Sequence, residues 1–220
     1  MKIKICVPAF EENIDKMLES AKQYIEEGAD IIELRLDALR NPSVDDIKKL
    51  MKNVDFPSIV TNRCRKEGGY FRGKEVDRIK LLSTAAKYAD YTDIELSTKD
   101  KYRNRVIEVS NKSIISFHDF EKTPSENKLI KIIKKEKKIG DIAKVAVMPK
   151  NMDDVLTLLK VMNKEKNVIG IAMGELGKFT RVVAHLFGSP ITFASGNIKT
   201  APGQLDIKTT RSLIKIFEVR

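Results

Sequence analysis

Position 144 carries a lysine where a charge is costly. Ile142-Ala143 precede it and Val145-Ala146-Val147 follow it, so the segment reads as a buried strand with one cation in its middle. Burial disfavours the ammonium form and lowers the pKa of a lysine. A neutral amine near pH 7 attacks carbonyls and forms a Schiff base. The other reading is a structural lysine paired with a carboxylate such as Asp93 or Glu95, and the segment alone leaves both open. His118, one of two histidines, ends the run Ser116-Phe117-His118. Histidine is the usual proton shuttle at neutral pH. The second, His185, adjoins Leu186 and Phe187 and reads as packing or surface.

Other apolar runs carry charges on one face. Alternation places Glu33, Arg35 and Asp37 together, then Thr61, Arg63 and Arg65, then Asp93 and Glu95, then Ile114, Ser116 and His118. Lys144 aligns with Ala146 and Met148. Parallel strands covered by helices have no wet face. In a barrel such charges point into the mouth, at the C-terminal strand ends where active sites sit. They must be paired there or bound to ligand.

Short Ile/Val-rich runs at 2–8, 31–37, 58–64, 91–96, 113–118, 142–148, 168–173 and 191–195 predict eight strands. Amphipathic stretches at 13–27, 44–52, 74–88, 101–110, 125–139, 153–166, 179–186 and 206–217 predict the intervening helices. Gly28 marks a helix end, and Ser43 and Ser125 mark helix starts. Eight strand–helix pairs in series predict a (β/α)8 TIM barrel, with a doubly wound open sheet as the alternative. No linker or composition break divides the 220 residues, which read as a single domain, 1–220. Glu67-Gly68-Gly69 reads as a mobile loop. Met173-Gly174 through Gly177 leads into a helix carrying Arg181, an arrangement able to hold an anion. Thr200-Ala201-Pro202-Gly203-Gln204 follows the last strand.

The formal net charge is +10, which favours an anionic partner. The lysines are scattered, and the densest run, 131–138, reads as the wet face of a helix that buries Leu129, Ile130 and Ile133. There is no tryptophan, and aromatic residues make up 6%, so the interleaved aromatic–basic pattern of single-strand binders is absent. Neither nucleic acid nor membrane is an expected partner. Cys6 and Cys64 are too few for a disulfide framework and lack metal-ligand spacing, and a reducing cytoplasmic location is expected.

Seven segments in order resemble type I 3-dehydroquinate dehydratase, the Schiff-base (β/α)8 enzyme of the shikimate pathway. They are Glu33–Asp37, Arg63 with Lys66–Gly69, Asp93–Leu96, Ser116–Phe120, Lys144–Pro149, Met173-Gly174 through Arg181, and Ala201–Gln204. The resemblance implies dehydration of 3-dehydroquinate to 3-dehydroshikimate, with no metal and no cofactor. By it, Lys144 forms an imine with the substrate ketone. His118 takes the adjacent proton, helps the hydroxyl leave, and serves imine formation and hydrolysis. Glu67 supports the histidine, with Asp93 behind it. Glu33, Arg35 and Arg63 hold substrate hydroxyls, while Arg181 and Gln204 lie at the carboxylate end. Thr200 stands where the family often has serine, keeping a hydroxyl among the substrate-binding residues. The segment 195–199 would close as a lid. The resemblance also implies a homodimer. An aldolase on another Schiff-base barrel would share Lys144 but cleave a C–C bond.

Overall fold

The computed structural model describes residues 3–217. Eight parallel strands, β1 (Lys4–Ala9), β2 (Ile31–Arg35), β3 (Ser58–Thr61), β4 (Tyr91–Glu95), β5 (Ser113–Asp119), β6 (Ile142–Val147), β7 (Val168–Ala172) and β8 (Ile191–Phe193), form one sheet. Its order is β7-β6-β5-β4-β3-β2-β1-β8, and β7 comes round to meet β8. The architecture is the (β/α)8 TIM barrel, and the open sheet is excluded. Of the first expected strand, Lys2 lies outside the described residues.

Helices α1 (Ile14–Glu26), α2 (Val44–Lys52), α3 (Glu75–Ala86), α4 (Asp100–Ile107), α5 (Glu126–Ile139), α6 (Met152–Lys164) and α9 (Ile207–Phe217) cover the barrel. Local chemistry sets their ends. Ser43 accepts from the Asp46 amide while Asp46 accepts from the Ser43 amide, a capping box worth about 1 kcal/mol. Ser125 holds the cap position of α5 without a side-chain cap bond. The helix expected over 179–186 is instead a series of single turns, α7 (Gly174–Gly177), α8 (Thr180–Val183) and a 3-10 turn (Ala184–Phe187). At the start of α8 the Thr180 hydroxyl donates to the Gly177 carbonyl and accepts from the Ala172 amide, pinning the chain to β7.

The strands split their side chains between two cores. Outward residues such as Ile32, Leu34, Val60, Ile115, Val145 and Val147 pack against the helices. Inward residues Cys6, Ile31, Ile59, Ile114, Ile142, Ile169 and Ile191 form an apolar floor. Two residues further along the same faces stand Glu33, Thr61, Ser116 and Lys144. The period-two alternation of a strand therefore stacks a charged layer directly on an apolar one.

Candidate active site

The charged layer is a network of ion pairs. Lys144 Nζ donates to Asp93 Oδ2 at 2.8 Å and lies 4.0 Å from Glu33 Oε1. The Phe193 ring, 4.2 Å from Nζ, covers it from β8. Asp93 Oδ1 accepts from Arg63 Nη2 at 3.0 Å and from the Ser116 hydroxyl at 2.6 Å. Burial presses the Asp93 carboxyl toward its neutral form, but Arg63 and Lys144 outweigh that and hold it well below the ordinary carboxylate range. Asp93 thus sits against the lysine itself, and not behind the Glu67–His118 pair. The structural reading of Lys144, a lysine paired with a carboxylate, is present.

His118 closes β5 beside Glu67. Its Nδ1 is 3.0 Å from Glu67 Oε2, which also accepts the His118 backbone amide at 3.0 Å. The Ser97 hydroxyl donates to Glu67 Oε1 at 2.5 Å. Burial lowers the imidazole pKa well below its ordinary value, with Arg63 and Lys144 adding to the effect. Burial also pushes the Glu67 carboxyl up to about 7, against the pull of Ser97 and Arg63. An ionised Glu67 fixes the proton on Nδ1 and leaves Nε2 as the basic nitrogen.

The arginines play different parts. Arg35 pairs with Asp37 at 2.9 and 2.8 Å, and Asp37 also accepts the Arg63 and Tyr70 amides, tying the β2 and β3 ends together. Glu33 accepts from Thr61 at 2.7 Å. Arg63 lies beyond β3, which ends at Thr61, and Arg65 is exposed outside the barrel. Arg181 donates to the Gly203, Phe193 and Pro202 carbonyls through Nε, Nη1 and Nη2. Those three bonds leave one N–H free on each terminal nitrogen. Burial lowers its pKa to about 10. Gly203 makes this cradle feasible: its φ is +76° and a Cβ would strike the Gly174 carbonyl. With α7 a single turn long, the positive charge at this end of the cavity comes from the guanidinium and not from a helix end. Gln204 Oε1 accepts the Thr200 and Ala201 amides at 2.8 and 3.1 Å, and Nε2 donates to the Ala194 carbonyl. One cavity of about 60 Å³ is lined by Glu33, Arg35, Arg63, Glu67, His118, Lys144, Arg181, Thr200 and Gln204. It gathers every expected site residue except Asp93, which lies beneath.

Sequence reasoning missed Ser97 and Arg78 and gave Glu95 no role beyond a partner for Lys144. Glu95 in fact binds Arg63 and the Cys64 amide. His185 packs, its ring facing the Val182 carbonyl at 2.8 Å.

A family model described as type I 3-dehydroquinase matches residues 5–220. This chain belongs to the type I 3-dehydroquinase family. A 3-dehydroquinate dehydratase of Methanothermobacter thermautotrophicus is 50% identical over 97% of each chain. A solved 3-dehydroquinate dehydratase from Geobacillus kaustophilus is 32% identical with a TM-score of 0.89, covering 98% of this chain and 91% of that one. The type I enzyme from Clostridium difficile, solved with covalently modified comenic acid, is 29% identical with a TM-score of 0.90 and covers 98% and 92%. The chain is a 3-dehydroquinate dehydratase of type I, a hydro-lyase acting on a small-molecule substrate. No described helix is long and apolar enough to cross a membrane.

Proposed function

We propose that the dehydration runs through an imine on Lys144, with His118 as its acid and base. The observation that carries this is the shared cavity, in which a buried lysine, a low-pKa imidazole and an arginine with no carboxylate partner among the described residues all face one space. The substrate carboxylate would take the two free N–H groups of Arg181, and Glu33, Arg35 and Arg63 would hold its hydroxyls. Lys144 gives up a proton to solvent and attacks the ketone carbon, expelling one water as the iminium forms. The iminium withdraws electrons from the adjacent C–H. His118 Nε2 removes that proton, and the electron pair moves toward nitrogen. The pair then expels the neighbouring hydroxyl, which leaves as water with the proton His118 took. A second water hydrolyses the imine and frees Lys144, so the net loss is one water. Glu67 offsets the charge on the imidazolium between the two proton transfers.

Support for a covalent step also comes from the Clostridium difficile relative and its covalently modified ligand. We further infer one barrel domain over residues 1–220, a cytoplasmic location supported by two free cysteines, and a homodimer. Exposed Met152, Leu156, Leu176 and Phe179 offer that dimer an apolar face. The test is intact mass after addition of 3-dehydroquinate and borohydride, followed by peptide mapping. A reduced adduct on Lys144 that vanishes in Lys144→Ala and persists in a slow His118→Ala variant is the expected result. No adduct on folded wild-type protein refutes the imine.

A further inference from the structure

Arg78 is buried on α3, does not line the catalytic cavity, and is nevertheless wired to it. Its Nε and Nη2 grip Glu75 at 2.8 Å each, and Nη2 also reaches the Thr98 hydroxyl. Its Nη1 donates to Glu95 Oε2 at 2.9 Å and to the Asn62 carbonyl. The other Glu95 oxygen accepts from Arg63 Nη1 at 3.1 Å and from the Cys64 amide at 2.9 Å. Arg63 continues to Asp93, and Asp93 to Lys144. Six side chains, Glu75, Arg78, Glu95, Arg63, Asp93 and Lys144, therefore alternate in sign from the half-exposed Glu75 to the amine.

We propose that Arg78 is a positioning residue that governs how tightly Asp93 holds Lys144. The mechanism is competition for Arg63. Two carboxylates, Asp93 and Glu95, share the Arg63 guanidinium, and Arg78 satisfies the half of Glu95 that faces away from it. Without Arg78, Glu95 Oε2 keeps only the Thr98 hydroxyl at 3.2 Å. A buried carboxylate so exposed draws Arg63 into a bidentate pair, the geometry the two groups prefer. Asp93 then loses its arginine and bears on Lys144 alone. The stronger ion pair slows release of the amine for attack. Arg78 also anchors the Asn62 carbonyl, one residue before Arg63, so the same change loosens the chain that aims the guanidinium. The carboxylate end of the site is built from Arg181 and the 200–204 loop, which Arg78 does not touch, so binding at that end is the part of affinity that the change leaves alone.

The proposal rests on the imine reading, and the experiment separates the two. Single-turnover borohydride trapping gives the rate of adduct formation per folded site. Binding of a cyclic carboxylic acid with neither ketone nor hydroxyls, a probe for the Arg181 end of the site and not for Arg63, gives affinity independently of imine chemistry. Wild-type protein without an adduct refutes the imine and not the wiring. With the wild-type adduct in hand, Arg78→Met is expected to slow trapping by at least about tenfold, while the dissociation constant for the ketone-free acid stays within about threefold. Arg78→Lys, which keeps the charge but not the fork, is expected to fall between the two. Glu75→Gln alters only the half-exposed end and keeps the fold safe if Arg78→Met does not fold. It turns Arg78 more fully to Glu95, frees Arg63 for Asp93, and is expected to speed trapping about twofold or more. Unchanged trapping per folded site in Arg78→Lys and Glu75→Gln, or equal loss of trapping and affinity, overturns the proposal.

Discussion

Glu136 stands on the face of α5 that meets the barrel, in helical step with buried Leu129 and Ile133, where an apolar residue belongs. It is fully buried, and neither carboxyl oxygen has a hydrogen-bond partner among the described residues. Burial, reinforced by Asp93 and Glu67, raises its pKa from 4.5 to about 10. The folded protein therefore keeps a proton on Glu136 that the unfolded chain loses above pH 4.5. For an acid raised in this way, stability is intact below the unfolded pKa and declines as pH climbs toward the folded one. The slope is about 1.4 kcal/mol per pH unit, so this one group removes about 4 kcal/mol between pH 5 and pH 8. Glu136→Gln keeps the shape and cannot ionise. Urea unfolding at pH 5, 6, 7 and 8 should show variant and wild type nearly equal at pH 5. The variant should then gain steadily, to about 4 kcal/mol at pH 8. Parallel pH curves for the two proteins would refute the reasoning.

Four further outcomes can be measured at the site. In the proposed mechanism an ionised Glu67 presents Nε2, so turnover should fall as pH drops through about 7 with one-proton slope. Ser97→Ala removes a donor to the ionised carboxylate and should move that limb to higher pH, whereas a fixed limb would separate it from Glu67. Arg181→Lys keeps the charge but loses the fork, so KM should rise about 10- to 100-fold with saturated imine trapping little changed. If segment 195–199 closes over substrate, limited proteolysis at Lys199 should slow when substrate is trapped, and equal cleavage with and without it would remove the lid.

The inward charges were legible because strand alternation is strict. Glu33, Asp93, Ser116 and Lys144 are polar residues at positions that parallel packing demands be apolar, and each occupies the barrel interior. The ends of strands were less legible. Asp37 and Arg63 follow the expected face in sequence, yet the chain has already left the sheet at Arg35 and Thr61. Their placement depends on one another, since Asp37 accepts the Arg63 amide across the two strand ends. Arg78 and Ser97 were invisible because their meaning lies in partners 17 and 30 residues away. Glu136 gave a usable signal in its helical spacing from Ile133, but the surrounding lysines disguised it as part of the wet face. The short turns around α8 are tied to β7 by a threonine side chain bonding to backbone, which periodicity does not report.

The isoleucine floor has a consequence for traffic. With Ile31, Ile59, Ile114, Ile142, Ile169 and Ile191 sealing the barrel below the charges, reactants approach from the C-terminal end. In the proposed chemistry two waters leave the carbon skeleton for each one that returns. All three crossings, and those of substrate and product, use the end framed by the Glu67 turn and the 200–204 loop. The enzyme thus works as a room with one doorway, in which the water shed by one step is already at hand for the step that releases the product.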